Sequence, residues 1–390
     1  MQRVMKLKRF RGAAKSLLTG VVSVLVSTPF GIGQLVSPND HRRGLRAGVQ
    51  VGSLNRDLEL TSTRTDQNSD FEARCHSEGV IKCVGFDEAG ELVGTDGSDP
   101  FGLDTTYVEN PANLPVIDTA IKASGPGSLK FTIPGRGHAS SSGAYFTNFS
   151  NNLSVQFGPG EEFYIQWRQR FSPEYITNKY ESEGWKQIIV GQGDRPGKQP
   201  GWACSPMEIV VVNYNMRGHP EAYHSCGDKG GQYEDFFKQD RRGRIVVQNG
   251  VDCTYPDFSR CVKYKPNQWM TFQMHVKVSS AWYINDGNYR HDGVFQLWVA
   301  EEGKPSMLVI DLHPAGDAAC DAQRVSIPAC MTGYDYVNVG GMNRDPAAKY
   351  GKLYLLPYQT KRELNQPSVS IAYTWYDDLI ISRRRIPDPH

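Results

Sequence analysis

The sequence contains no CxxC pair, although it carries eight cysteines. That absence removes the usual spacing of a structural zinc site and, with no CxxCH, covalent haem attachment. Outside the first thirty residues there is no long apolar stretch of helical period, which argues against a helical domain. The apolar run Leu17–Val26 is about half of the roughly twenty residues that span a bilayer. An excess of charge of either sign is missing as well. The formal net charge is +1, and no nucleic-acid-binding motif accompanies it, so a nucleic-acid partner is not expected. No strand carries two or three carboxylates at alternate positions in the manner of ExDxxE. A retaining glycoside hydrolase needs such a set to hold nucleophile and acid about 5–5.5 Å apart. Glu208 stands alone, and Glu161-Glu162 opens a strand.

What the chain does have is glycine, proline and alternation. Its 39 Gly and 23 Pro, with 39% hydrophobic residues, suit a large strand-and-loop domain with a real core. Three stretches alternate cleanly. In Met270–Val278, the residues Met270, Phe272, Met274, Val276 and Val278 take one face, and Thr271, Gln273, His275 and Lys277 the other. After the turn signals Asn285-Asp286-Gly287 and His291-Asp292-Gly293, Phe295, Leu297 and Val299 oppose Gln296 and Trp298. In Tyr164–Phe171, Ile165, Trp167 and Phe171 oppose Tyr164, Gln166, Arg168 and Arg170, with Gln169 the one polar residue on the inner side. Strand side chains alternate faces, so each run predicts one core face and one polar face. An unpaired guanidinium costs several kcal/mol to bury, so the Arg face is expected to be wet or paired. A sheet whose open side carries Arg, Gln, His and Trp suits a polar ligand such as sugar.

The N-terminus reads as an export signal over residues 1–33, with Lys6, Lys8, Arg9, Arg11 and Lys15 before the short apolar run. Residues 34–70 are polar and Arg-rich, an extension expected to be partly disordered. One folded domain is expected over residues 71–386, with no internal repeat. The cysteines lie as near neighbours: Cys75 and Cys83, Cys204 and Cys226, Cys253 and Cys261, Cys320 and Cys330. Pairing of neighbours would close short loops worth about 2–4 kcal/mol each, as suits an exported protein. A secreted monomer, free of the membrane once the signal is removed, is the expectation.

Several segments together carry a resemblance. Gln268-Trp269-Met270-Thr271-Phe272 followed by Asp292-Gly293-Val294-Phe295-Gln296-Leu297-Trp298 resembles a strand pair of secreted jelly-roll polysaccharide lyases and related lectin-like domains. The opening Ser124-Gly125-Pro126-Gly127-Ser128-Leu129-Lys130-Phe131 and the ending Trp375-Tyr376-Asp377-Asp378-Leu379-Ile380-Ile381-Ser382 resemble the start and closing strand of the same domains. The resemblance spans roughly residues 71–386. It implies an all-β fold, a concanavalin A-like β-jelly-roll sandwich of two curved antiparallel sheets with a sugar-binding groove. Alginate lyases of this type carry Gln-Ile-His where this chain has Gln192-Gly193-Asp194, and their Arg-x-Glu-Leu strand is absent. The resemblance is therefore nearer to glucuronan-lyase-type domains.

For such a lyase the resemblance implies a Tyr or His base for the uronate C5 proton and Arg, Gln, Asn or His against the carboxylate. The expected catalytic residues are Arg168, His275, Tyr354 and Tyr358. The expected substrate contacts are Gln166, Arg170, Gln192, Gln273, Trp298 and His224. Each has a plainer reading: surface ion pairs for the arginines, a satisfied strand histidine for His275, a loop histidine for His224, and packing for Trp298 and the tyrosines. Glu208 suits an internal salt bridge as well as a function. No cofactor is required. Asp377 and Asp378 could contribute to a structural Ca²⁺ site, since oxygen ligands suit that ion. The expected function is β-elimination on an acidic polysaccharide. A non-catalytic carbohydrate-binding jelly roll is the alternative, and a structural surface protein attached through its Arg-rich segment is a third reading.

Overall fold

Alternation in the sequence becomes two antiparallel sheets packed face to face. The structure, a computed structural model, describes residues 67–93, 101–177, 184–198, 208–214, 216–224, 245–247, 251–253, 259, 261–280, 293–312, 347–359 and 370–390. All of them belong to one unit, Gly52–His390; the other unit, Met1–Val51, lies outside the described residues.

Helix α1 (residues 67–75) precedes β1 (Val80–Val84), β2 (Phe101–Asp104), β3 (Val116–Ile117), β4 (Leu129–Pro134), β5 (Ala144–Asn148) and β6 (Glu162–Phe171). The short helix α2 (Pro173–Thr177) leads to β7 (Gly184–Gln192), β8 (Glu208–Tyr214), β9 (Glu221–His224), and the ribbon β10 (Ile245–Val247) and β11 (Val251–Cys253). Then come β12 (Trp269–Lys277), β13 (Val294–Glu301), β14 (Met307–Leu312), β15 (Tyr350–Leu355) and β16 (Ile371–Ser382). The eight-stranded sheet runs β14-β13-β12-β6-β16-β4-β3, with β1 also on β16; the six-stranded sheet runs β2-β5-β15-β7-β8-β9. This is the all-β, jelly-roll class of sandwich. No helix among the described residues is long and apolar enough to cross a membrane.

The apolar faces expected from sequence meet in one core. Ile165, Trp167 and Phe171, Met270 to Val278 at alternate positions, and Phe295, Leu297 and Val299 pack with Ile188, Val190, Ile209, Val211, Leu353 and Leu355 of the other sheet. β12 and β13 pair antiparallel with Phe272 opposite Val299 and Gln273 opposite Trp298, so the hairpin keeps like faces together. Gln169 is the polar residue on the core side, and it is satisfied. Its Oε1 accepts from Gln187 Nε2 at 2.9 Å and Trp167 Nε1 at 3.3 Å, and its Nε2 donates to Thr374 Oγ1 at 3.0 Å. A register shift between Lys186 and Ile188 turns Gln187 inward, where its Oε1 accepts from Tyr264 Oη at 2.7 Å. The two sheets are thus joined by a fully bonded polar bridge, the condition under which buried amides are tolerated.

The outer face of the eight-stranded sheet departs from expectation. It was expected to stay open, and instead α1 and the segment after β16 lie across it. Arg74 of α1 donates to Asp70 Oδ2 at 2.9 Å, to Gln166 Oε1 and to Asp378 Oδ2 at 2.8 Å. Gln166 also donates to the Pro387 carbonyl at 2.9 Å, and Gln273 exchanges two hydrogen bonds with the Ile386 backbone, at 3.0 and 2.8 Å. The disulfide Cys75–Cys83 ties the end of α1 to β1. Cys261 is disulfide-bonded too; the other expected pairs lie outside the described residues or, for Cys253, involve a side chain outside them.

Candidate active site

The outer face of the six-stranded sheet brings together the chemistry the other sheet does not. Register places Asn148 of β5 opposite Lys352 of β15, Lys352 opposite Gly191 of β7, and Gly191 opposite Glu208 of β8. Gly191 contributes no side chain between the lysine and the glutamate. One step along β15, on the same face, stands Tyr354, between Phe146 and Ile189. Strand alternation puts Lys352 and Tyr354 side by side while Leu353 enters the core.

Asp194, just past β7, holds the lysine. Lys352 Nζ lies 2.7 Å from Asp194 Oδ2, and Asn148 Nδ2 donates to the same oxygen at 2.8 Å. Asn148 Oδ1 accepts from the Asp194 backbone N–H at 2.9 Å, so the amide orientation is fixed from both ends. The turn that carries Asp194 is held by Gln156, whose Nε2 donates to the Asp194 carbonyl at 2.6 Å. Gln156 packs directly on Gly193 and Gly351, where an added Cβ would stand 2.6 and 2.7 Å from its side chain. Both positions therefore need glycine for close approach. Beneath the row, Lys82 of β1 donates to Thr147 Oγ1 at 2.8 Å and to the Asn148 carbonyl at 2.7 Å.

Burial pushes the two reactive groups in opposite directions. Lys352 is 1% exposed, and desolvation draws its ammonium below the usual lysine range, with Asp194 opposing. Tyr354 is 5% exposed, and its phenol is pushed well above 10.0 by desolvation first, then by Asp194, Glu208 and Asp104. The lysine ring contacts are apolar: Nζ sits 4.7 Å from the Phe146 ring centre and 5.4 Å from that of Tyr354. Such an arrangement can move a proton off carbon and onto oxygen.

The sequence-predicted residues fall on two different sheets. Tyr354 stands one step along β15 from the row just described, and Tyr358 follows it on the same face, with Lys186 Nζ 5.0 Å from its ring centre. Gln192 ends β7 opposite Tyr350, and His224 ends β9 opposite Ile209, its side chain outside the described residues. Arg168, His275, Gln166, Arg170, Gln273 and Trp298 all lie on the outer face of the eight-stranded sheet. The structure does not bring the expected arginines and tyrosines together.

Most of the second group is engaged by structural partners. Gln166 and Gln273 are held as above. His275 stacks on Tyr164 at 4.2 Å, with Nδ1 2.9 Å from Gln296 Oε1 and Nε2 2.8 Å from Glu162 Oε2. The Arg385 guanidinium covers Trp298 at 4.9 Å, which removes one face of the expected stacking platform. Lys352, Asn148 and Asp194 were missed. The legible signal was Lys352-x-Tyr354, a lysine at a face position of an otherwise apolar strand.

Asp377 and Asp378 do not fit a Ca²⁺ site. A bulge places the two acids consecutively, with Asp378 at φ 48°. Asp377 Oδ2 accepts from the Ala123 and Ser124 N–H groups at 2.7 and 3.3 Å, and its Oδ1 from the Asp378 N–H at 2.8 Å. Asp378 Oδ1 accepts from Ser124 Oγ, and Oδ2 faces Arg74 at 2.8 Å and Arg168 at 3.6 Å. All four oxygens have donors, and two guanidinium groups supply the positive charge a metal would.

No protein-family model matches the chain, and no curated protein matches it. Among solved structures it is similar to an endo-β-1,4-glucuronan lyase from the fungus Trichoderma reesei, at 11% identity over 78% of this chain and 95% of that one, with a TM-score of 0.41. The marine alginate lyase from Aplysia kurodai is 10% identical over 79% and 99%, with a TM-score of 0.43. Alginate lyase vAL-1 from a Chlorella virus is 10% identical over 78% and 100%, with a TM-score of 0.39. The chain is thus similar to jelly-roll polysaccharide lyases in fold.

Proposed function

We propose that the protein cleaves a uronate-containing polysaccharide by β-elimination on the outer face of its six-stranded sheet. One observation carries the reading: Lys352 and Tyr354 share a strand face, and their surroundings push the amine down and the phenol up. Pairs of titratable groups displaced in opposite senses mark a base and an acid. Neutral Lys352 takes the C5 proton of the uronate. The C5–H electron pair forms the C4–C5 double bond, the C4–O bond breaks, and Tyr354 gives its proton to the leaving oxygen. Asn148, in the same row, is the neighbouring amide donor for the carboxylate as its charge grows. Tyr354 thereby serves as acid rather than base, because burial disfavours its phenolate.

Action outside the cell on an acidic polymer belongs to the same proposal, and the Cys75–Cys83 disulfide suits it. Burial favours a second reading. Lys352 and Asp194 also make a sealed ion pair, which a non-catalytic carbohydrate-binding protein could keep for structure alone. The test is to incubate the purified full chain with alginate, glucuronan, pectate and glycosaminoglycans and to follow ultraviolet absorbance of the unsaturated sugar. A rise with one polymer supports the lyase. No rise with any of them, together with retention on one polymer, sinks it in favour of binding alone.

A further inference from the structure

Two arginines on the opposite face of the sandwich have more hydrogen-bonding capacity than the structure uses. Arg168 and Arg170 share the outer face of β6, about 6.6 Å apart along the strand. Arg168 is 6% exposed, yet its Nε has no acceptor, and its one ion pair among the described residues is the 3.6 Å approach to Asp378. Arg170 is half-buried, its Nε is likewise sealed without an acceptor, and among the described residues no ion pair or hydrogen bond engages its guanidinium. Register sets Arg170 between Trp269 of β12 and Trp375 of β16, and Trp269 also lies 6.0 Å from the Arg168 guanidinium. Thr271 stands opposite Arg168. The charged neighbours are Asp378 beside Arg168, already shared with Arg74, and Glu302, which acts on Arg170 at longer range.

Buried donors without acceptors are uncommon and call for a partner, either water or an ion. A guanidinium with unused N–H groups suits a planar or tetrahedral oxyanion, which it can grip with two parallel N–H bonds. We infer that Arg170, with Arg168 behind it, forms an anion-binding site on the eight-stranded sheet that takes the carboxylate or sulfate group of an acidic sugar. Arg170 is the accessible mouth and Arg168 the buried second donor. Desolvation draws the Arg170 guanidinium below its ordinary range, a cost that a bound anion would offset. The site lies on the other sheet from Lys352, so it stands whether or not the protein is a lyase.

Calorimetric titration of the full chain with inorganic sulfate, with glucuronate and with glucose tests it. Saturable binding of sulfate or glucuronate, absent for glucose, is expected. Arg170→Gln should weaken it about tenfold, the worth of one charge-assisted hydrogen bond, and Arg170→Lys should retain part of it. Glucuronate binding more tightly than sulfate assigns the site to a sugar carboxylate; the reverse assigns it to sulfate groups. No saturable binding by either anion overturns the inference. So does binding that Arg170→Gln leaves unchanged while the variant melts like the parent.

Discussion

In the proposed β-elimination Lys352 and Tyr354 act as a unit because their ionisation is displaced in opposite senses, and that sets a pH profile. The base must be neutral, so kcat/KM should rise with pH through a value below lysine's 10.5. The acid must keep its proton, so the fall should come only above 10.0. A rate that falls as pH rises between about 6 and 8 would contradict the assignment. Lys82 offers a stability test at the same scale. Burial draws its ammonium down to about 8 from 10.5. The folded value is below the unfolded one, so the contribution to stability is fully present above 10.5 and lost as pH falls through about 8. Lys82→Met carries no such dependence. Its unfolding free energy relative to the parent should therefore grow by up to roughly 3 kcal/mol on going from alkaline to neutral pH. A pH-independent difference would refute the burial argument. The residue scale is also where the sequence was least legible. Tyr354 was expected, but Lys352 stood among many lysines, and only the register with Asn148 and Gly191 reveals its neighbours.

At the scale of elements, α1 and the segment after β16 decide what the back sheet presents. Alternation correctly separated Gln166, Arg168, Gln273 and His275 from the core, but period two reports only which side of a strand a residue takes. It says nothing of what lies over that side. Here Arg74 arrives from α1, 304 residues from its partner Asp378, a contact no local pattern could announce. Removing it leaves the buried Asp378 with the Ser124 hydroxyl and, as its countercharge, the 3.6 Å approach of Arg168. Arg74→Leu should cost about 3–5 kcal/mol in urea denaturation, the usual penalty for breaking one side of a buried pair. A loss under about 1 kcal/mol would mean that Arg168 or water compensates fully. The short polar motifs were misleading for a related reason. Asp377-Asp378 looks like a pair of oxygen ligands in sequence, while the bulge and the loop at Ala123-Ser124 fill every oxygen with N–H and O–H donors.

The whole molecule was the most legible level. Paired alternating runs, glycine-rich turns and the absence of helical period lead to a strand-and-loop domain, and the resemblance to jelly-roll lyases implies the two sheets that the structure has. Pairing between distant strands, such as β16 between β6 and β4, comes from burial of complementary faces rather than from any motif. A molecule held by such a core should depend only modestly on its short disulfide. The Cys75–Cys83 loop has a sequence separation of 8, and chain-entropy estimates give about 2.5 kcal/mol for it. Cys75→Ser/Cys83→Ser should therefore lower the melting temperature by a few degrees and leave the fold intact, as far-ultraviolet circular dichroism would report. Loss of the native spectrum would instead make the attachment of α1 a condition of folding.

Mutation of each sheet in turn shows which face of this sandwich carries out chemistry. Turnover of the cleaved polymer should be compared for two variants on each sheet: Lys352→Met and Tyr354→Phe on one, His275→Gln and Trp298→Ala on the other. The first two are expected to lose about 10²–10⁴-fold in kcat, as removal of a general base or acid does, while the second two stay within a few-fold of the parent. Activity that survives Lys352→Met and Tyr354→Phe but disappears with His275→Gln would place the chemistry on the eight-stranded sheet and contradict the proposal.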